Sequence, residues 1–379
     1  MDIPSFSTLE QQLDFLLQQG VKNGVFPGGA AAVFSGHGRK RIEGIAACGR
    51  TRLDEKGGKI DKNSIFDLAS LTKPLATTLL LYNLVEQGMI DWNDKYTYIS
   101  KRKIPLKKKN ISIAHLLSHS SGLSAYRPYF KLFKPDSEEE NKQKIISLIL
   151  KDPLEYEIGT ECRYSDLGFI LLGDGIEQVA GKSLDVLFKE RITRPLGLSE
   201  ELFFIPLSEK KNLDKKCAAT ERCSWRNRIM QGEVHDEHCF LMGGVAGHAG
   251  LFGTINAVGQ LCSSILEGWQ GRKTLLPVSR NVLNHGLKRK YKDKTWCLGF
   301  DTPSTGYTSA GRYPARKSIG HLGFAGTSFW IDPETDTVLV LLTNRVHPTR
   351  ENTKIRQFRP WFHDRVVEFL LSNQGRRRK

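Results

Sequence analysis

The apolar runs that read as strands sit at the two ends of this 379-residue chain, and that placement constrains its fold more than any other feature. Near the N-terminus, residues 28–34 and 42–47 are two short apolar runs separated by Ser35-Gly36-His37-Gly38, the pattern of a hairpin. Strand character returns at residues 297–300, at 318–331 with glycines interrupting it, and at 337–343. There Val338-Leu339-Val340-Leu341-Leu342 reads as a strand covered on both faces. Between the ends the apolar spacing is helical, over residues 71–88, 138–151, 165–180, 183–193, 255–269 and 276–286. Flanking helices are predicted over 7–20, with Leu9, Leu13, Leu16 and Leu17 on one side, and over 355–371. The predicted fold is therefore α+β, an α/β sandwich whose antiparallel sheet is built from N- and C-terminal segments, flanked by helices, with an inserted mostly helical lobe. Residues 1–69 and 290–379 would form the sheet-containing domain and 70–289 the insertion, with the active site in the cleft between them. Polar residues 131–144 and 206–216 read as loops.

Hydrophobic residues make up 39% of the chain and charged residues 26%, enough apolar content for a substantial core, and no stretch is long and apolar enough to span a bilayer. Met1-Asp2-Ile3-Pro4-Ser5-Phe6 has neither a basic nor an apolar leader, so a cytoplasmic location is expected. Seven cysteines, an odd number without C-x-x-C spacing, fit reduced thiols rather than a disulfide framework or zinc ribbon. The net charge of +15 is densest at Lys101-Arg102-Lys103, Lys107-Lys108-Lys109 and Arg376-Arg377-Arg378-Lys379. These runs are short and lack interleaved aromatics, so no nucleic-acid partner is expected. They read as solvated surface, with attraction of anionic substrates or a membrane surface as the weaker alternative.

Chemistry concentrates in three segments. Phe66-Asp67-Leu68-Ala69-Ser70-Leu71-Thr72-Lys73-Pro74 precedes an apolar stretch, and Pro74, tolerated only in a first helical turn, confines the helix start to about Ser70. Lys73 then lies one turn along on the same side, where a partly desolvated amine can take the serine proton. The S-x-x-K spacing also occurs at Ser100/Lys103 and Ser208/Lys211, and Ser70 could equally be an N-cap serine. The second segment, Gly159 to Gly168, carries Tyr164 and Asp166 two apart at a loop-to-helix junction. There a tyrosine beside an ammonium is a candidate base, or else packs in the core above an ordinary first-turn acid. The third, Ser318 to Trp330, sets His321 in a glycine-marked strand, and such glycines usually mean close approach by a ligand or another backbone.

Taken together, these segments resemble the penicillin-recognising serine hydrolases: class C beta-lactamases, D-alanyl-D-alanine carboxypeptidases and related esterases. The signatures S-x-x-K, Y-x-N and K/H-T-G are matched in order by Ser70-Leu71-Thr72-Lys73, Tyr164-Ser165-Asp166 and His321-Leu322-Gly323, with one substitution in each of the last two. Residues 113–123 and 181–198 look like the same family, and the resemblance runs from about residue 20 to 370. It implies a beta-lactamase/transpeptidase-like fold and an acyl-enzyme on Ser70, with Lys73 and Tyr164 sharing its proton. The backbone N–H groups of Ser70 and Phe324 would form the oxyanion hole. Asp166, where the family more often has Asn, cannot donate to a substrate amide oxygen, and it could instead hold Lys73 charged and move the basic role to Tyr164. Leu322 lacks the hydroxyl that helps bind the carboxylate of beta-lactams.

Both departures argue against an efficient beta-lactamase. The expected activity is that of a carboxylesterase-like serine hydrolase on a small ester, amide or peptide. A D-alanyl-D-alanine carboxypeptidase, a weak beta-lactamase or a non-catalytic peptidoglycan-fragment binder are the alternatives. His235, Asp236, His238 and His248 are metal-capable residues, but their spacing matches no strong zinc pattern and the family needs no metal, so neither metal nor cofactor is expected. Glu233-Val234-His235-Asp236 resembles a branch near the D-alanyl-D-alanine carboxypeptidases, which implies that His235 and Asp236 shape the substrate pocket together with Asp166, His321, Leu322, Gly323 and Phe324.

Overall fold

The structure is a computed structural model that describes residues 6–38, 41–133, 138–209, 213, 216–291, 294–306 and 308–376. Strands β1 (Gly28–Ser35) and β2 (Ile42–Gly49) form the expected hairpin, and β8 (Ile319–Leu322), β9 (Ser328–Asp332) and β10 (Thr337–Thr343) complete a five-stranded antiparallel sheet in the order β2-β1-β10-β9-β8. The two chain ends meet at its centre, where Ala31 pairs with Leu341 and Ala32 with Val340.

Period-2 alternation explains the unbroken apolar runs. Ala31, Val33, Leu339 and Leu341 face helix α1 (Leu9–Lys22) and the C-terminal helix Ile355–Arg376, packing with Leu13, Leu16, Leu17, Phe358 and Phe362. Ala32, Phe34, Val338, Val340 and Leu342 point the other way into the main core. Each of the fully buried leucines of α1 contributes roughly 1.5–3 kcal/mol by leaving water. The helix Ile255–Trp269 covers this second face, although its sequence position puts it in the inserted segment. Gly259 permits the approach, since a Cβ there would stand 2.4 Å from the Phe34 ring.

A second, three-stranded sheet joins β3 (Phe66–Asp67), β4 (Leu202–Phe204) and β7 (Leu251–Gly253) in the order β3-β7-β4, and Arg222–Cys223 and Arg228–Ile229 (β5 and β6) form a small ribbon. Strands of two or three residues carry too little alternation to be read from sequence, yet β3, held by its pairing with β7, carries the chain into the serine segment.

Three expectations change. Residues 297–300 are a turn rather than a strand: Cys297 N–H donates to the Phe300 carbonyl, and Gly299 takes a φ of 90° against the Thr78 side chain. Only Asp301 pairs with the sheet edge, opposite Gly320. The helix expected over 138–151 runs from Glu138 to Lys151, so the loop reading of the overlapping 131–144 stretch fails from residue 138 onward. The basic runs are also not wholly solvated. Lys108 is buried, and its ammonium donates to the Ile149 and Leu150 carbonyls at 2.6 and 2.9 Å, capping that helix. Burial pushes its pKa down to about 8. Arg102 is bound by Asp174 at 2.6 Å. Residues 134–137, much of 210–215 and the last three basic residues of the tail lie outside the described residues. All seven cysteines are free. Among the described residues no helix is long and apolar enough to cross a membrane.

Candidate active site

Ser70 sits on a sharp turn that tertiary contacts hold in place. Ala69 adopts a φ of 49°, a left-handed conformation that costs on the order of 1–2 kcal/mol for a residue with a Cβ. The Ala69 N–H donates to the buried Asp67 carboxylate at 2.8 Å, and the Thr72 hydroxyl donates to the Ala69 carbonyl at 2.7 Å. The helical segment Lys73–Thr78 follows with its turns widened, Pro74 at its start as expected, and leads into a regular helix at Leu79.

Lys73 is fully buried, and its Nζ has three partners: Ser70 Oγ at 3.0 Å, the His248 carbonyl at 3.0 Å and Asp166 Oδ1 at 2.6 Å. Burial alone would lower its pKa. The Asp166 carboxylate and the Tyr164 oxygen outweigh that and hold it above the ordinary lysine value. The close Asp166 carboxylate thus favours the ammonium over a neutral lysine base, in line with the alternative raised by the Asp in place of Asn. Asp166 reaches it from the first turn of the helix Asp166–Ala180, whose N-cap Ser165 accepts from Gly168 N–H.

Tyr164 lies beside this cation, its ring centroid 5.1 Å from Lys73 Nζ. Burial pushes the phenol up, while the Lys73 ammonium draws it back. His119, Trp296 and His321 surround the ring, at 4.7, 5.7 and 5.9 Å between centroids. Neither His119 nor Trp296 is among the residues that the sequence singles out. His119 stands at a φ of 56°, a local signal that becomes visible only once the loop is folded.

His321 is 3% exposed, and burial, helped by the Lys73 charge, pushes its pKa down to about 3. Its Nδ1 lies 2.8 Å from the Leu322 carbonyl and so carries the proton, leaving Nε2 as a buried lone pair with no partner. Gly323 is required for close packing, since a Cβ there would meet Thr327 Oγ1 at 1.9 Å and the Leu68 carbonyl at 2.7 Å. That contact ties the β8 end to the serine turn. Phe324 is 47% exposed and stacks on His235 at 5.6 Å with an 18° interplanar angle.

The four metal-capable residues separate. His235 bonds to Glu221 through Nε2 at 2.9 Å, whereas ligand atoms of Asp236, His238 and His248 lie within 4.8 Å of one another. Asp236 Oδ1 is already engaged there by Cys239 N–H and His248 Nε2, both at 2.8 Å. His238 packs among Tyr126, Tyr129 and Phe130.

Ser70, Tyr164, Asp166, His235, Asp236, His321, Leu322, Gly323 and Phe324 all line one cavity of about 650 Å³. Its far wall holds residues that the sequence reading missed: Arg345, Arg350, Arg356 and Arg359. Arg350 is neutralised by Glu221 at 2.5 Å and Glu237 at 2.7 Å. Arg345 donates to the Phe324, Arg350 and Asn352 carbonyls, and Arg359 to those of Gly323 and Thr327. Arg359 is 6% exposed with an unpartnered Nε, and burial together with the Arg345 charge pushes it down to about 9. The available signal was the recurrence of arginines from the end of the last apolar strand into the first turns of the last helix.

This arrangement supports acyl transfer: a nucleophile, a charged lysine and a tyrosine meet at a cavity beside a loop of backbone donors. The sequence profile described as Beta-lactamase matches residues 13–359. The chain belongs to that family. It is a beta-lactamase-related serine hydrolase. It is 31% identical over 373 residues to the N-acetylmuramyl-L-alanine amidase of Bacillus subtilis (strain 168), covering 90% of this chain and 82% of that one. The putative D-alanyl-D-alanine carboxypeptidase of Escherichia coli (strain K12) is 32% identical over 316 residues, 78% of this chain and 72% of that one. Among solved structures, the hydrolase EstCE1, which has promiscuous acyltransferase activity, superposes with a TM-score of 0.73 at 22% identity, covering 94% of this chain and 98% of that one. The fold of this serine hydrolase is thus the mixed helix and antiparallel-sheet architecture expected from its sequence.

Proposed function

We propose that this serine hydrolase cleaves an amide in a peptidoglycan-derived fragment through an acyl-enzyme on Ser70, the leaving group being an amino acid or peptide whose carboxylate faces the arginine wall. The observation that carries the reading is the charged Lys73 held against Ser70 and Tyr164 across one cavity from Arg345, Arg356 and Arg359. The named activities of the amidase and carboxypeptidase relatives support the amide and the fragment class, in preference to the simple ester suggested by sequence.

Ser70 Oγ attacks the carbonyl as its proton passes to the Tyr164 oxygen, and the Tyr164 hydroxyl proton passes to the leaving nitrogen. Lys73 stays charged and lowers the cost of the partial phenolate. The N–H groups of Ser70 and Phe324 receive the developing oxyanion. His321 keeps a proton-free Nε2 beside Tyr164 and, as a neutral ring, cannot supply the positive charge of a lysine at that position. Water then repeats the sequence in reverse to free Ser70. The steps draw only on this chain's side chains and backbone.

The test compares N-acetylmuramyl-L-alanyl-D-isoglutamine, a peptide ending in D-alanyl-D-alanine, and p-nitrophenyl butyrate, each with the protein and its Ser70→Ala variant. Cleavage of the muramyl-alanine amide, lost in the variant, is the expected result. Release of D-alanine would assign carboxypeptidase chemistry instead. Turnover of the butyrate ester alone would return the reading to a carboxylesterase, which the Leu322 side chain, lacking a hydroxyl, favours.

A further inference from the structure

The geometry points to the Asp236–His248 pair as a positioning device for Lys73, an inference that rests on the Ser70 and Lys73 chemistry proposed above. Lys73 Nζ donates its third hydrogen bond to a backbone atom, the His248 carbonyl at 3.0 Å, and not to another side chain. A backbone carbonyl can hold an ammonium in register only if the loop bearing it is itself fixed. Here the loop is fixed at three points. The Gly247 carbonyl accepts from the Thr77 hydroxyl at 2.7 Å. Gly247 lies against the helix Asp166–Ala180 so closely that a Cβ would stand 2.1 Å from the Phe169 carbonyl. The third point is the His248 ring, 1% exposed, whose Nε2 donates to Asp236 Oδ1 at 2.8 Å.

Asp236 is anchored in turn. Its carboxylate caps the short helix Glu237–Leu241 by accepting from Cys239 N–H at 2.8 Å. It is held well below the usual carboxylate range because His248 and His238 more than offset its burial. Arg226 clamps the backbone beneath it, donating to the Val234, His235 and Asp236 carbonyls. The chain of contacts therefore runs from Arg226 through Asp236 and the His248 ring to the His248 carbonyl and Lys73 Nζ. Asp236 lines the cavity, but its Oδ1 is turned to this chain. It acts through Lys73 rather than by holding substrate, which revises the substrate-binding role that the family resemblance implied for it.

The prediction is a change in turnover without a change in binding. With p-nitrophenyl butyrate, a neutral substrate, Asp236→Ala and His248→Phe should each lower kcat by about tenfold to a hundredfold, since loss of register at a reacting group costs that much. KM should stay within about twofold. Combining the two should cost no more than the worse single variant, because both remove one device. His248→Gln, whose amide can donate to Asp236, should recover most of the loss, and Asp236→Asn, which still accepts from His248 and Cys239, should lie between.

If Asp236→Ala does not fold, the conservative pair decides the matter through the rate of Ser70 labelling by a fluorophosphonate per folded molecule. A rise in KM with kcat held, a double variant whose losses multiply, or His248→Gln as slow as His248→Phe would each overturn the proposal. A wild-type protein that turns over no ester and takes no label at Ser70 would instead sink the underlying reading of the site.

Discussion

The two walls of the cavity treat charge in opposite ways. On the serine wall, the buried Lys73 ammonium is matched by Asp166, a carbonyl and a hydroxyl, and Asp236 by His248. On the arginine wall, Arg350 is matched by two glutamates, whereas Arg345 and Arg359 donate to backbone carbonyls and Arg359 keeps an orphaned Nε. A charge that a protein buries for its own stability is paired. One left facing a cavity without a counter-ion is stabilised when a ligand brings that counter-ion. The contrast is what the proposed function rests on: acyl transfer on the Ser70 side of the cavity, and recognition of an anion on the arginine side.

Four changes would break or sharpen that contrast. Removing the nucleophile should have the largest effect: Ser70→Ala is expected to cut turnover of any substrate by at least about 10⁴-fold. Its melting temperature should move little, because a half-buried hydroxyl facing a cavity adds little stability. Steady-state assay and a thermal melt check both halves.

Next is the pairing itself. Asp166→Asn leaves the fully buried Lys73 charge without its counter-ion, a change of the kind that costs about 3–5 kcal/mol. Stability to urea should fall and turnover should drop by roughly a hundredfold. If stability is unchanged, Lys73 does not depend on that pair and the paired-wall idea fails. In the parent protein the raised Lys73 pKa carries stability that is complete below its unfolded value near 10.5 and is lost as pH rises above it. The variant should lose that alkaline decline.

On the other wall the exposed Arg356, which lines the cavity, offers a milder test. Arg356→Gln should raise KM about five- to tenfold for a substrate with a free carboxylate, equivalent to about 1 kcal/mol. It should leave the neutral butyrate ester unchanged, and equal effects on both substrates would show that this wall does not read charge.

The smallest effect concerns His321. Its folded pKa near 3 lies below the unfolded value near 6.5, so the unfolded chain binds the extra proton between them and stability falls as pH drops through that window. His321→Gln should flatten that acid slope, measured as the urea midpoint from pH 6.5 to 4, and an unaltered slope would place the acid sensitivity elsewhere.

Much of this molecule is legible along the chain. The run Val338 to Leu342 declares a strand covered on both faces, and the hairpin of β1 and β2 declares itself by two apolar segments around Ser35-Gly36-His37-Gly38. Pro74 marks the start of a helix for Ser70 because a proline ring is tolerated only in a first turn. Residues 297–300 misled because a short apolar segment reads the same whether it pairs or turns, and only Gly299 against Thr78 decides. The little sheet of Phe66–Asp67, Leu202–Phe204 and Leu251–Gly253 was invisible, since its strands are shorter than any period.

What the sequence determined by itself are properties set between near neighbours: element types, the placing of Ser70 and Lys73 on one helical side, and the order of the three motifs. Tertiary structure decided the properties set by distance through space. The fully buried Lys73 is favoured as an ammonium because Asp166 was brought within 2.6 Å, which outweighs the burial that works against its charge. Arg345 and Arg359 became part of the site only when the last helix closed over the end of β8. Periodicity records which residues share a face, but the charge of a group depends on burial and on partners that the chain supplies from far along its length.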